Sequence, residues 1–202
     1  MKILHLSDTH GKHDLLTNLP EADIIVHSGD FTFSGSEQEA YDFMNWFCDL
    51  PYAHKIFIAG NHDDCLYGAD TIEGLPENVH YLCNSGITLS GLHFYGIPMF
   101  MQDELDGLAS TFFARIPDNT DILITHQPPF DILDTCQSDT RKIRYGNIDL
   151  RTRIDQLHLR CHLFGHQHEA NATLVEKSTL FSNAALLDNH YKLIAKPRII
   201  KL

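Results

Sequence analysis

Apolar residues in this chain come in short, nearly unbroken runs, each closed by a small polar cluster. Residues 2–7, 23–27, 55–59, 121–125 and 161–164 have the length and β-branched content of buried strands, and glycine or other turn residues stop most of them. Ser36 to Leu50 predicts the clearest helix. Ser36 and Glu39 have the spacing of a capping box, Ala40, Phe43, Met44, Phe47 and Leu50 fall on one face, and Pro51 ends the run. Lys12 to Leu19 and Asp106 to Arg115 read as further helices, and Asn147 as the cap of one running through Leu157. Val79–Leu82, Ile87–Leu89 and Leu92–Gly96 read as short strands, with Ser90-Gly91 as a hairpin turn. The tail is strand-like at 172–176, 179–182 and 198–202. Strands and helices alternating at these separations predict parallel βαβ units. Residues 131–147 are polar and irregular, as expected of a functional loop.

Composition narrows the function. The chain has 202 residues and no repeat, low-complexity tract or linker, so one domain over 1–202 is expected. A formal charge of −12 argues against a nucleic-acid polymer or an anionic membrane as partner, because both demand a basic surface. Bound divalent cations would offset part of that charge, so a small phosphorylated substrate is compatible with it. Five cysteines without C-x-x-C spacing suggest neither a disulfide framework nor a structural zinc site, but reduced thiols in the cytoplasm. No apolar run approaches the length needed to span a membrane. Oligomeric state is not legible.

The distinctive number is fourteen histidines, and their positions sort them. Five apolar runs end in metal-ligand chemistry: Asp8-x-His10, Gly29-Asp30, Gly60-Asn61-His62-Asp63, His126, and Gly165-His166-x-His168. Any one of these is good turn chemistry. Together they predict a shared site beyond the carboxyl ends of the strands, where open α/β sheets bind ligands. Carboxylate, amide and imidazole suit Mn²⁺, Fe or Zn²⁺. Asp8, His10, Asp30, Asn61, His126, His166 and His168 are too many ligands for one ion with an open position, but enough for two if Asp30 bridges. Two ions about 3.5–4 Å apart generate a hydroxide nucleophile and clamp an in-line phosphoryl displacement. Glycine beside Asp30, Asn61 and His166 permits close backbone approach. His62, next to a ligand residue and followed by a carboxylate, is suited to proton transfer near neutral pH.

His5 and His27 lie within predicted strands and read as core histidines with satisfied hydrogen bonds. The remaining histidines fit no ligand spacing. Arg141, Lys142 and Arg144 are open to two readings, a solvated charge cluster or contacts to substrate phosphate.

The order D-x-H, G-D, G-N-H-D, H, G-H-x-H, from Asp8 to His168, resembles that of the calcineurin-like metallophosphoesterase superfamily. Gly29-Asp30-Phe31-Thr32, Ala59-Gly60-Asn61-His62, Thr125-His126-Gln127-Pro128-Pro129 and Ser182-Asn183-Ala184 are similar to the small MPPED-type phosphodiesterases. The resemblance implies an α/β (α+β) fold, a two-sheet β-sandwich flanked by helices with two metals at its edge. It implies one metal, most simply Mn²⁺, on Asp8, His10, Asp30 and His168, and a second on Asp30, Asn61, His126 and His166. It further implies attack of metal-bound hydroxide on the phosphorus of a small phosphodiester such as a cyclic nucleotide. His62 would assist the leaving oxygen, and Asp63 would orient its ring. A phosphomonoesterase or protein phosphatase on the same core, and a nucleotide-binding scaffold with weak catalysis, are the rival expectations.

Overall fold

Side chains alternate between the two faces of a strand, and these apolar runs bury both faces. Ile3, Ile24, Val26, Ile56 and Ile58 pack inward against Phe94, Ile122, Ile124 and Leu163. Their neighbours Leu4, Ile25 and Phe57 point the other way and meet Phe43 and Phe47. On the opposite side Leu123, Phe164 and Phe181 meet Phe113, Leu150 and Ile154. The result is four layers, helix–sheet–sheet–helix, with the central core between the sheets.

The computed structural model describes residues 1–137 and 142–202. Among these the chain runs β1 (Lys2–Leu6), β2 (Ile24–His27), α1 (Glu37–Asp49), β3 (His54–Phe57), β4 (Val79–Tyr81), β5 (Ser85–Leu89) and β6 (Leu92–Ile97). Then follow α2 (Met101–Leu105), α3 (Ala109–Ala114), β7 (Ile122–Thr125), β8 (Thr135–Gln137), β9 (Lys142–Arg144), α4 (Ile148–Ile154), β10 (Cys161–Phe164), β11 (Ala172–Glu176), β12 (Thr179–Asn183) and β13 (Arg198–Lys201). One sheet has the order β13-β1-β2-β3-β4 and the other β11-β12-β10-β7-β6-β5. The inner strands are parallel, as the βαβ spacing predicts, while β13, β11 and β5 pair antiparallel at the edges. None of the described helices is long and apolar enough to cross a membrane.

Register brings the functional segments to one end. Leu6, His27 and Phe57 are lateral neighbours, so Asp8, Asp30 and Asn61 leave the first sheet side by side. Ile124 pairs with Leu163 in the second sheet, which sets His126 beside Gly165-His166. The two sheets meet at this end, where the Ser7 N–H donates to the Ala184 carbonyl at 3.1 Å. Helix α1 is anchored by the expected capping box of Ser36 and Glu39. Its Phe43 and Phe47 are fully buried, and truncating either to alanine is expected to cost about 3–5 kcal/mol.

Three local expectations need correction. Residues 12–19 form only a 3-10 turn at His13–Leu15, because Asn18 turns left-handed at φ +58° before Pro20. The helix expected over 106–115 is divided into α2 and α3 by Gly107 at φ +70°. Part of the expected 131–147 loop is a short hairpin, β8 against β9.

Candidate metal centre

Strand ends fix the backbone of the site tightly. The Asp8 N–H donates to the Gly29 carbonyl and the His10 N–H to the Asp30 carbonyl, both at 3.0 Å. Asp8, His10, Asp30 and His166 all sit at positive φ, between 42° and 67°. Non-glycine residues adopt that region at a cost, and such residues cluster at ligand-gripping sites. The two carboxylates are held from across the cleft. The His166 N–H donates to the Asp8 carboxylate at 3.0 Å, and the His62 N–H to Asp30 Oδ1 at 2.8 Å.

The imidazoles are aimed by their outer nitrogens. Nδ1 of His10 donates to the Thr32 carbonyl (3.1 Å), Nδ1 of His126 to the Ser28 carbonyl (2.9 Å) and Nδ1 of His168 to the Asp188 carbonyl (3.1 Å). A carbonyl only accepts, so each proton sits on Nδ1 and each Nε2 is turned into the site. Metal-ligating histidines are oriented in this way. Nε2 of His10 and Nε2 of His168 lie 3.3 Å apart, close enough to need a shared proton or a shared cation. His168 Nε2 is 3.3 Å from Asp8, and His126 Nε2 is 3.2 Å from Asp30. His126 Nε2 is buried, and its polar neighbour is the Asp30 carboxylate. On the far side, His166 Nδ1 lies 2.9 Å from Asn61 Oδ1. Three overlapping triads result: Asp8, His10 and His168; His10, Asp30 and His62; Asp30, His126 and His166. Within each, one donor atom per residue lies within 4.8 Å of the others. A buried imidazole nitrogen beside a carboxylate fits a divalent cation.

The same contacts set the electrostatics of the donors. Burial opposes the ionisation of Asp8, but the hydrogen bond from His168 and the charges of His126, His168 and His10 hold it well below the usual carboxylate range. Asp30 is likewise brought down to about 2 against burial, chiefly by His126. Burial opposes protonation of His126, yet the Asp30 and Asp8 carboxylates raise it to about 9. His166, desolvated and beside His126, falls to about 4.

His62 is half-buried at the mouth of a cleft of about 220 Å³, which also touches His10, Asp30, Asn61, His166 and His168. Its ring is not oriented by Asp63, contrary to expectation. His62 Nδ1 donates to the Phe33 carbonyl at 2.9 Å. The Asp63 carboxylate turns inward and accepts from the N–H groups of Asp30, Thr32 and Gly60, each at 2.8 Å, and from the Thr32 hydroxyl at 2.9 Å. Burial and the Asp30 charge push Asp63 up to about 7 against those donors. Asp63 thus ties the Asp30 and Gly60 turns together. Gly60 allows this junction, since a Cβ there would stand 2.2 Å from Asp30 Oδ1.

Of the basic loop, Arg141 lies outside the described residues. Lys142 begins β9, and Arg144 pairs with Asp131 and Asp134 and lies over the Phe130 ring. His5 and His27 are core residues with partners, as expected. His5 bonds Ser182 and Ser28 at 2.9 Å each, and His27 Nε2 bonds Thr9 at 3.0 Å. Sequence reasoning missed Cys136, Gln167, Glu169, Asn189 and Tyr191, which also line the cleft. Only Gln167 and Glu169 carried a signal, as neighbours of His168.

Fold and donor set together define the class of metal-dependent phosphoester hydrolases built on a two-sheet sandwich. The chain belongs to the calcineurin-like phosphoesterase family, whose model matches residues 1–170. It is 31% identical to a UPF0046 protein of Caenorhabditis elegans, over 98% of this chain and 73% of that protein. It is 30% identical to metallophosphoesterase domain-containing protein 1 of Homo sapiens, over 98% of this chain and 69% of that protein. A solved crystal structure sharing 14% identity superposes with a TM-score of 0.61 over 90% of this chain and 89% of its own, a likeness of fold alone.

Proposed function

We propose that the chain is a dinuclear-metal-dependent phosphodiesterase acting on small phosphodiesters such as cyclic nucleotides, with Mn²⁺ as the working metal. The observation that carries the metal assignment is the aim of the imidazoles. His10, His126 and His168 each anchor Nδ1 on a backbone carbonyl and turn Nε2 toward the Asp8 and Asp30 carboxylates. Asp8, His10, Asp30 and His168 would hold one ion, and Asp30, Asn61, His126 and His166 the other. Bound ions supply an activated water and a clamp on phosphoryl oxygens.

The chain's own residues do the rest. Asp63 holds Asp30 at the junction of the two ligand sets. His62, its Nδ1 held by Phe33, presents Nε2 to the departing oxygen and donates the proton that oxygen needs. Among the described residues, the cleft is lined by imidazole, amide, carboxylate, thiol and phenol groups. The hydrolysis test below decides between diesterase and phosphatase chemistry. Five free cysteines support a reducing compartment, the cytoplasm. The test is hydrolysis of bis-p-nitrophenyl phosphate and of its monoester by metal-stripped chain reconstituted with Mn²⁺, beside Asp30→Ala. The diester is expected to be cleaved only with metal and not by the variant. A monoester preference would move the assignment to phosphatase, and silence on both esters with metal bound would count against the enzyme reading.

A further inference from the structure

An aromatic pair, Tyr191 in the cleft lining and Phe33 beside it, is left unused by the phosphate chemistry. Phe33 is fixed through its backbone, its N–H donating to Glu39 at 3.1 Å and its carbonyl accepting from His62, yet half its surface is exposed (50%). One exposed phenylalanine is ordinary. Here a second ring meets it. Tyr191 stands edge-on to Phe33, with centroids 5.0 Å apart at 80°, and edge-on to His10 at 5.0 Å.

Tyr191 is held in a conformation that aromatic residues rarely take, at φ +57°. Its N–H donates to the Asp188 carbonyl at 2.8 Å and its carbonyl accepts from Lys12 Nζ. The Asp188 carboxylate gathers the N–H groups of His190 and Lys192 at 2.9 and 2.8 Å, which closes the turn. The Asp188 carbonyl also receives His168 Nδ1, so the turn that carries the tyrosine is tied to a candidate ligand. Backbone strain persists only where the surroundings over-determine it, and it concentrates where a ligand is gripped.

We infer that Phe33 and Tyr191 form a stacking corner for the flat aromatic group, a nucleobase or aryl ring, of an ester whose phosphate sits at the His10, Asp30 and His168 donors. This rests on the phosphoesterase reading above. The corner adjoins that site directly, because both rings pack around His10, and Phe33 also lies 6.4 Å from the ring of His62. Two rings edge-to-face leave a π face and a positive edge for a third ring. An aliphatic alcohol would gain little there.

The test compares binding of adenosine 5′-monophosphate and ribose 5-phosphate to the Mn²⁺-loaded chain by titration calorimetry. The two ligands share the ribose 5-phosphate moiety and differ at C1′, base against hydroxyl, so the affinity ratio reads the corner while ribose 5-phosphate reads the phosphate site. The ratio is expected at roughly ten- to hundredfold in favour of the base-bearing ligand, the range of base–aromatic stacking. Phe33→Leu and Tyr191→Asn should bring it to within about threefold of unity, asparagine being chosen because it tolerates the left-handed backbone. Phe33→Tyr should restore it. A ratio near one in the natural chain, or one unchanged in both variants, overturns the corner and leaves the phosphoesterase reading standing. If neither ligand binds or inhibits while Mn²⁺-dependent diester hydrolysis persists, the corner alone is overturned; if that hydrolysis is absent as well, the phosphoesterase reading fails and takes the corner with it.

Discussion

Gly165→Ala adds one methyl group at the tightest point of the site. An ideal Cβ on Gly165 would lie 2.1 Å from Asp8 Oδ2, 2.1 Å from Ser7 Oγ and 2.7 Å from Ser7 Cβ. Real Cβ contacts do not fall below 3.0 Å, so something must retreat by about 0.9 Å. Ser7 and Asp8 are wholly buried, which leaves neither side chain open space. Asp8 can move only by leaving the His166 N–H at 3.0 Å and His168 Nε2 at 3.3 Å. Overpacking of this kind costs about 1–3 kcal/mol, and a hydrogen bond to a charged group contributes about 1.5–3 kcal/mol. A loss of roughly 2.5–6 kcal/mol follows, or a fall in Tm of about 5–24 °C for a chain of this size. Mn²⁺ affinity and diester hydrolysis should fall together, because Asp8 leaves its place. Gly68→Ala is the control. Gly68 has φ +81° and nothing within 4 Å of its would-be Cβ, so only backbone strain of about 1–2 kcal/mol applies and metal binding should survive. Thermal unfolding of metal-free chains and calorimetric Mn²⁺ titration measure both effects. A Gly165→Ala chain that matches the natural one in Tm and metal stoichiometry would refute the packing described for Asp8.

Other expectations differ in what they perturb. His126 is raised from 6.5 to about 9 in the metal-free chain, so a ligating role requires proton loss, and Mn²⁺ affinity should climb roughly tenfold per pH unit from about 7 to 9 and then flatten. Calorimetry in buffers of different ionisation enthalpy reads the released proton, and a flat pH profile would exclude His126 as a ligand. Metal-free stability should move oppositely: a folded-state value above 6.5 gives a His126 contribution complete below about pH 6.5 and lost as pH rises through about 9. Glu39 is brought down to about 2, against burial, by the Ser34 and Ser36 hydroxyls and N–H groups. Its contribution is therefore present above about pH 4.5 and lost as pH falls through about 2, and Glu39→Gln should flatten that acid limb of a Tm–pH series. His62→Ala should lower kcat by about 10²–10⁴ with Mn²⁺ stoichiometry retained, most for esters with basic leaving groups. An equal loss for good and poor leaving groups would remove His62 from the proton-transfer role.

What the sequence made legible was what local rules govern. Helix α1 announced itself because its cap, apolar face and terminating proline lie within sixteen residues. The central strands were readable because burial on both faces leaves an apolar run that no surface element needs. Residues 12–19 misled for the converse reason: Leu15, Leu16 and Leu19 have helical spacing, but Leu15 is 56% exposed and only Leu16 and Leu19 join the core. Asp63 was misjudged because adjacency suggested His62, whereas its carboxylate turns to the Gly60 N–H and to Asp30 and Thr32, some thirty residues away. Tyr191 carried no local signal at all. Its role exists only because the turn at 188–192 folds back over residues from the first strand end.

The left-handed residues show how the fold itself holds the donors of the candidate metal site. Asp8, His10, Asp30 and His166 each carry strain of about 1–3 kcal/mol, which nothing in their own side chains relieves. The strain is opposed by a closed circuit of hydrogen bonds. Asp8 binds Gly29, His10 binds Asp30, Asp30 binds Asp63 through its N–H and accepts from His62, and His166 returns to Asp8. Several of these end on carboxylates, where each bond contributes about 1.5–3 kcal/mol, comparable to the strain at one residue. Because this circuit runs entirely through protein groups, the donors are set by the fold and not by the ions. A metal ion bound here would fill a prepared site, unlike small zinc domains in which the metal does the folding.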